Sequence, residues 1–184
     1  MAESTAPPEP APQPNASAST AEHRDNAPDA VGVAVLTVSD TRTEATDASG
    51  QIILAGLREQ QHTVVNYRIV PDEPGRIDPL LREWAADDRV AAILINGGTG
   101  IARRDTTYDV VAGLLEKRLD GFGELFRMLS YDEIGAAAML SRAVAGVHHG
   151  TLIISMPGSR NAVNLAMSRL VLPELSHLVY EITK

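Results

Sequence analysis

From Ile95 to Thr107 the chain reads Ile-Asn-Gly-Gly-Thr-Gly-Ile-Ala-Arg-Arg-Asp-Thr-Thr. Gly97, Gly98, Thr99 and Gly100 follow an apolar run at residues 90–95 and precede a helix-like stretch at 108–118. A glycine-rich turn between strand and helix offers backbone N–H groups. The helix dipole adds partial positive charge, and both suit an anionic ligand. Asp105 lies in the same loop, and a carboxylate repels phosphate. A bound Mg²⁺ reconciles the two, because it takes carboxylate and phosphate oxygens together. The combination points to phosphoryl or nucleotidyl chemistry. The loop is neither a P-loop, since no Lys-Ser/Thr follows, nor a GxGxxG dinucleotide fingerprint.

Two further polar turns have the same setting. Thr37-Val-Ser39-Asp40 closes the apolar run at 31–38, and Met156-Pro-Gly-Ser159 closes the run at 151–156. In open α/β sheets, ligands bind beyond the carboxyl ends of strands. If these three strands are parallel neighbours, the three turns meet at one site. Each loop also has a purely structural reading. Thr106 or Thr107 fits an N-cap, with Asp109 near the N3 position. Asp105 fits a first-turn acid, Asp47 and Ser49 fit caps of the first helix, and Pro157-Gly158 fits an ordinary turn. Arg103 and Arg104 are either solvated charge or cationic partners for phosphate.

These turns need a scaffold, and the hydrophobic pattern supplies one. Residues 31–38 form a continuous apolar run, as expected of a buried parallel strand. A helical face follows over 49–60, then an alternating strand over 62–70. Ile77, Leu80, Leu81, Trp84 and Ala85 have helical spacing. Residues 90–95 form a third strand, and 108–118 a helix carrying Val110, Val111, Leu114 and Leu115. A helix over 124–131 is followed by a strand pair at 143–147 and 151–156 that turns at His148-His149-Gly150. Residues 161–184 are helical, with Pro173 starting the last helix. Regular alternation of strand and helix predicts a layered α/β sheet. There is no internal repeat. The His148-His149 pair is not read as a metal site, because adjacent strand residues diverge and a hairpin tip is solvated.

The 184 residues predict one domain behind a tail. Residues 1–30 hold six prolines and no Leu, Ile, Phe, Trp or Tyr. Such a segment cannot bury enough apolar surface to offset its ordering entropy, so it reads as disordered. It lacks the basic start and apolar centre of a signal peptide. Residues 31–184 can build a sizeable core. The net charge of −8 argues against nucleic-acid binding, which needs clustered cations. No apolar run reaches the roughly 20 residues of a membrane span. With no cysteine there are no disulfides, thiolate nucleophiles or cysteine metal sites. The expectation is a soluble, cytoplasmic protein.

Six motifs, in order, resemble the molybdopterin-binding family of molybdenum cofactor biosynthesis. They are Leu36-Thr-Val-Ser-Asp40, Thr46-Asp-Ala-Ser-Gly50, Gly97-Gly-Thr-Gly100 with Arg104-Asp105-x-Thr107, Gly121-Phe-Gly-Glu124, Met139-Leu-Ser-Arg-Ala143 and Met156-Pro-Gly-Ser159. They run across nearly all of residues 31–184, and the stretch 121–141 is most similar to the protein B branch of the family. The resemblance implies a three-layer α/β/α sandwich with a mostly parallel sheet and one antiparallel strand. It implies trimers, or hexamers made of two trimers. The implied reaction joins MgATP and molybdopterin to give adenylylated molybdopterin and pyrophosphate.

By the same resemblance, Asp105 and Asp47 are the catalytic or metal-binding acids. Gly97, Gly98, Thr99 and Gly100 hold phosphate, and Ser39, Ser141, Pro157, Gly158 and Ser159 line the pterin and nucleotide pocket. Asp40, Arg104, Thr107, Gly121, Glu124 and Arg142 lie within the matching motifs and complete the implied substrate-binding set. Molybdopterin, ATP, further copies of the chain and other cofactor-biosynthesis proteins are the implied partners. The chain departs from the family loop at Tyr108, where proline is common. The alternative within the family is a pterin-binding or carrier oligomer that performs no transfer.

Overall fold

The computed structural model describes residues 26–184, so the tail reading over residues 1–25 lies outside the described residues. Six strands among the described residues form one sheet. They are β1 (Gly32–Val38), β2 (Thr63–Val70), β3 (Ala92–Asn96), β4 (Lys117–Arg118), β5 (Val144–His148) and β6 (Thr151–Met156). Their spatial order is β2-β1-β3-β6-β5-β4. β2, β1, β3 and β6 pair in parallel, while β5 pairs antiparallel with both β6 and β4. The sheet is therefore mostly parallel with one reversed strand, as the resemblance implied.

The strands read as unbroken apolar runs because both faces are covered. In β1, Val33 and Val35 face one core, while Ala34, Leu36 and Val38 face the other. Helices α1 (Ala48–Glu59), α4 (Asp120–Ile134), α5 (Arg160–Ala166) and α6 (Leu172–Thr183) cover the first face. They contribute Ile53, Leu57, Phe122, Phe126, Val163 and Leu175 to it. Helices α2 (Pro74–Ala85) and α3 (Thr107–Leu114) cover the second with Ile77, Leu81, Trp84, Val111 and Leu114. The spacing of the α2 trio is the helical stripe visible in the sequence. The result is three layers.

Two boundaries differ from the sequence reading. The helix expected over 108–118 ends at Leu114, and Leu115 is already extended with ψ 126°. Lys117 and Arg118 then pair with Val147 and Gly146 as an edge strand. A two-residue, charged, exposed strand carries no apolar alternation, so its sequence resembles the end of a helix. Short charged edges of this kind also discourage pairing with other chains. The second difference is at the C-terminus. The run expected over 161–184 is divided into α5, a π-helical turn at Met167–Val171, and α6. Pro173, which has no N–H to donate, lies in the first turn of α6. The expected helix over 124–131 is longer, and a 3₁₀ turn at Gly135–Leu140 follows it.

Candidate functional site

β1, β3 and β6 are adjacent and parallel, so the turns that follow them share one edge of the sheet. Together they enclose an open cleft of about 350 Å³. Thr37, Val38 and Ser39 come from the first turn, Asn96 to Gly100 from the second, and Pro157 and Gly158 from the third. Arg42, Leu140 and Ser141 complete the wall. The convergence expected from the sequence is thus present.

The glycine loop has a shape that side chains would spoil. Gly97 and Gly98 have φ of +101° and +64°, a region that L-residues avoid. A Cβ at Gly97 would strike the Val38 carbonyl, and one at Gly98 would strike the Thr107 hydroxyl and the Asp72 carboxylate. Two charged residues tie the loop from outside. Arg142 donates from Nε to the Thr99 carbonyl at 3.1 Å and from Nη2 to the carbonyls of both Gly100 and Asp105. Its guanidinium also pairs with Asp109 at 3.3 Å and lies 4.7 Å from the centre of the Tyr108 ring. Asp72 accepts hydrogen bonds from the N–H and hydroxyl of Thr106 and from the buried Thr107 hydroxyl. The Gly97 N–H donates to the Met156 carbonyl at 3.1 Å. Among the described residues, no acceptor engages the N–H groups of Gly98, Thr99 or Gly100. The loop residues that line the cleft therefore keep three backbone donors without an acceptor, while the carbonyls of Thr99 and Gly100 are bound by Arg142.

Asp47 lies beneath this wall, with its side chain fully buried. It is the N-cap of α1, accepting from the Gly50 N–H at 2.9 Å. It also accepts from the Thr37 hydroxyl, from the Tyr67 hydroxyl at 2.7 Å, and from Arg42 at 3.4 Å. Burial alone pushes its carboxyl up. The hydrogen bonds from Thr37, Gly50 and Tyr67 and the Arg42 charge outweigh burial and hold it below the usual carboxylate range. Burial, followed by the bond to Asp47, raises Tyr67 above the normal phenol range, so its proton stays in place. A carboxylate has about four lone-pair sites, and four donors approach Asp47. This geometry suits a residue that positions Thr37 and Arg42 more than one that binds a metal directly.

Asp105 is half-exposed and close to the loop, since a Cβ on Gly100 would meet its carboxylate. Its Oδ2 accepts from the Ala102 N–H at 2.9 Å. Asp105 does not itself line the cleft. Asp40 and Arg104, neither of which lines the cleft, pair at 3.4 Å, and Asp40 accepts from the Asp72 N–H. The Ser39 hydroxyl accepts from the N–H of Arg42, fixing the first turn. Ser159 caps α5 through the Ala162 N–H, so its hydroxyl serves the helix start.

Gly121 and Glu124 are not brought to the cleft. Glu124 faces a separate hollow with Tyr108, Arg118 and Arg127, and Gly121 borders another between α4 and α6. The cause is topological, because α4 follows the edge strand β4, two strands away from β6. Conversely, Arg42, Asn96, Tyr67 and Asp72 belong to the cleft or its supports and are not among the residues assigned to the site from the sequence. Asn96 gave a readable signal, a polar residue ending an apolar strand; its amide donates to Thr37 at 2.8 Å. Asp72 gave none, because its partners lie 34 and 35 residues away.

The family described as "probable molybdopterin binding domain" matches residues 34–177. Molybdenum cofactor biosynthesis protein B of Halalkalibacterium halodurans is 52% identical over 167 residues, covering 90% of this chain and 98% of the relative. The Bacillus subtilis protein of the same name is 50% identical with the same coverage. A crystal structure of a molybdenum cofactor biosynthesis protein B superposes with a TM-score of 0.82 at 48% identity, over 85% of this chain and 98% of that one. A tungsten cofactor synthesizing protein from Pyrococcus furiosus gives 0.77 at 36% identity, over 86% and 100%. The glycine loop, the cleft and these likenesses agree: the chain belongs to the molybdopterin-binding-domain family, alongside the proteins named molybdenum cofactor biosynthesis protein B.

Proposed function

We propose that the chain acts in molybdenum cofactor biosynthesis by adenylylating molybdopterin with MgATP and releasing pyrophosphate. One observation carries the reading. Three consecutive backbone N–H groups, of Gly98, Thr99 and Gly100, have no acceptor among the described residues and belong to residues lining an open cleft. Such preset donors stabilise phosphate oxygens without reorganising. Arg42, Ser39 and Ser141, which also line the cleft, add a cation and two hydroxyls. In the transfer, a phosphate oxygen of molybdopterin forms a bond to the α-phosphorus of ATP as the bond to the pyrophosphate oxygen breaks. Neither substrate needs a protein nucleophile, so the chain contributes position and charge.

Asp105 fits a magnesium ligand, because one carboxylate plus substrate phosphates is a common Mg²⁺ environment, and only its Oδ2 is engaged. The ion supplies neutralisation of phosphate charge when bound. Asp47 acts through Thr37 and Arg42. A non-catalytic binding or carrier role uses the same cleft, and the place of Asp105 outside the cleft lining favours it. Purified protein incubated with MgATP and molybdopterin decides between them. Formation of adenylylated molybdopterin with matching pyrophosphate supports transfer. Saturable molybdopterin binding without pyrophosphate release leaves the carrier role.

A further inference from the structure

At the opposite end of the sheet, β5 and β6 are joined by a two-residue turn. His148 pairs with Thr151, and the turn residues His149 and Gly150 have φ of +48° and +79°. Positive φ at both positions marks a type I′ hairpin turn, where Asn-Gly is the usual pair. The left-handed backbone at His149 removes the alternation that would send adjacent side chains apart. The two imidazole rings instead lie 4.2 Å apart. Glu116, just before β4, reaches the same point. Its carboxylate stands 3.5 Å from His148 Nδ1 and 3.4 Å from His149 Nδ1. The sequence reading of divergent histidines fails here because His149 is no longer on the strand.

A second observation points to a ligand. The His148 side chain is 5% exposed, yet neither ring nitrogen has a hydrogen-bond partner. The Leu114 carbonyl faces the ring without completing a hydrogen bond. Buried polar atoms are nearly always paired, so two orphans on one ring need an explanation. Arg82 is the nearby opposing cation, but its Nε is engaged by both oxygens of Asp78.

We propose that Glu116, His148 and His149 form a binding site for a borderline divalent cation such as Zn²⁺. Their ligand atoms lie within 4.8 Å of one another. Ligands at about 2.1 Å in a tetrahedron are separated by roughly 3.4 Å. The two carboxylate–imidazole distances already have that value. Two imidazoles and a carboxylate are a Zn²⁺ donor set, not a Mg²⁺ one. Three protein ligands leave the fourth position to water or a partner's side chain. The site lies at the amino end of β6, and the nucleotide cleft at its carboxyl end, so the inference does not rest on the proposed reaction.

The test is calorimetric titration of the full chain, free of any affinity tag and stripped with chelator, with zinc chloride. The expected result is saturable binding of one Zn²⁺ per chain, undiminished by millimolar Mg²⁺. Co²⁺ in place of Zn²⁺ should give the intense visible absorption of a tetrahedral site. His149→Asn keeps a residue suited to the turn and should weaken binding on the order of a hundredfold. Glu116→Gln, at an exposed position, should also weaken it. Absence of saturable Zn²⁺ uptake by the wild-type chain overturns the proposal, as does equal affinity in both folded variants.

Discussion

Asp47→Asn separates a positioning carboxylate from a metal ligand. The substitution preserves shape, and asparagine is as good an N-cap as aspartate, so the bond from the Gly50 N–H survives. The amide nitrogen would then face the hydroxyls of Thr37 and Tyr67, which must stop donating and accept instead. Changing two charge-assisted bonds into neutral ones loses about 1 kcal/mol each. The Arg42 contact, long and partly solvated, adds well under 1 kcal/mol. The total is about 2–3 kcal/mol, or roughly 5–10 °C in melting temperature for a domain of this size. Thermal melts of the purified variant measure it.

The pH dependence follows from the same network. Asp47 is held below its unfolded value of 3.8. Its contribution to stability is therefore present above that value and lost as pH falls through the lower, folded one. Urea midpoints should decline more between about pH 5 and 3 in wild type than in Asp47→Asn. A metal ligand predicts a different outcome: an unchanged melting temperature with a higher Mg²⁺ requirement for turnover. That result would refute the positioning argument.

Asp105→Ala should leave the fold intact and reduce adenylyl transfer on the order of a hundredfold or more; near-normal turnover removes Asp105 from the reaction. Thr99→Val keeps the loop's shape and should weaken ATP or molybdopterin binding by roughly 1–2 kcal/mol in calorimetry, and unchanged affinity means that the hydroxyl does not meet the ligand. Arg142→Ala frees the carbonyls of Thr99, Gly100 and Asp105 and should weaken ATP binding about tenfold, with no rescue by Arg142→Lys, which lacks the planar fork. Light scattering should give a mass of three chains or a multiple of three, consistent with the exposed Met128, Tyr131, Ile134 and Met139; a monomer mass at micromolar concentration rejects this.

The cleft was legible in the sequence because its parts are local. Each of the three turns ends an unbroken apolar run, and parallel strands align their carboxyl ends. β1, β3 and β6 meet that condition directly. What supports the cleft was not legible, because long-range pairing leaves no periodic trace. Arg142 reaches Thr99 across 43 positions, and Tyr67 reaches Asp47 from a strand whose alternation announced only a sheet. β4 was hidden for a related reason, since two exposed charged residues have no pattern to read. Gly121 and Glu124 show the reverse case. Motif order placed them with the site, and the edge position of β4 took them away from it.

The glycine loop is held in shape by the protein's own groups, and this bears on how it works. A flexible loop must lose backbone freedom on binding, about 1–2 kcal/mol per residue fixed. Here Arg142 binds the carbonyls of Thr99, Gly100 and Asp105 from one side. Asp72 holds the start of α3 from the other. Val38 and Thr107 leave room only for glycine at positions 97 and 98. The Gly98 constraint comes from the protein's interior, so a side chain there clashes with Thr107 and Asp72 before it can reach a ligand. Gly98→Val therefore damages the loop itself, and only Thr99→Val isolates the contact with the ligand. A loop held on both sides spends little binding energy on ordering, so under the proposed function its three N–H groups need little reorganisation to meet phosphate oxygens.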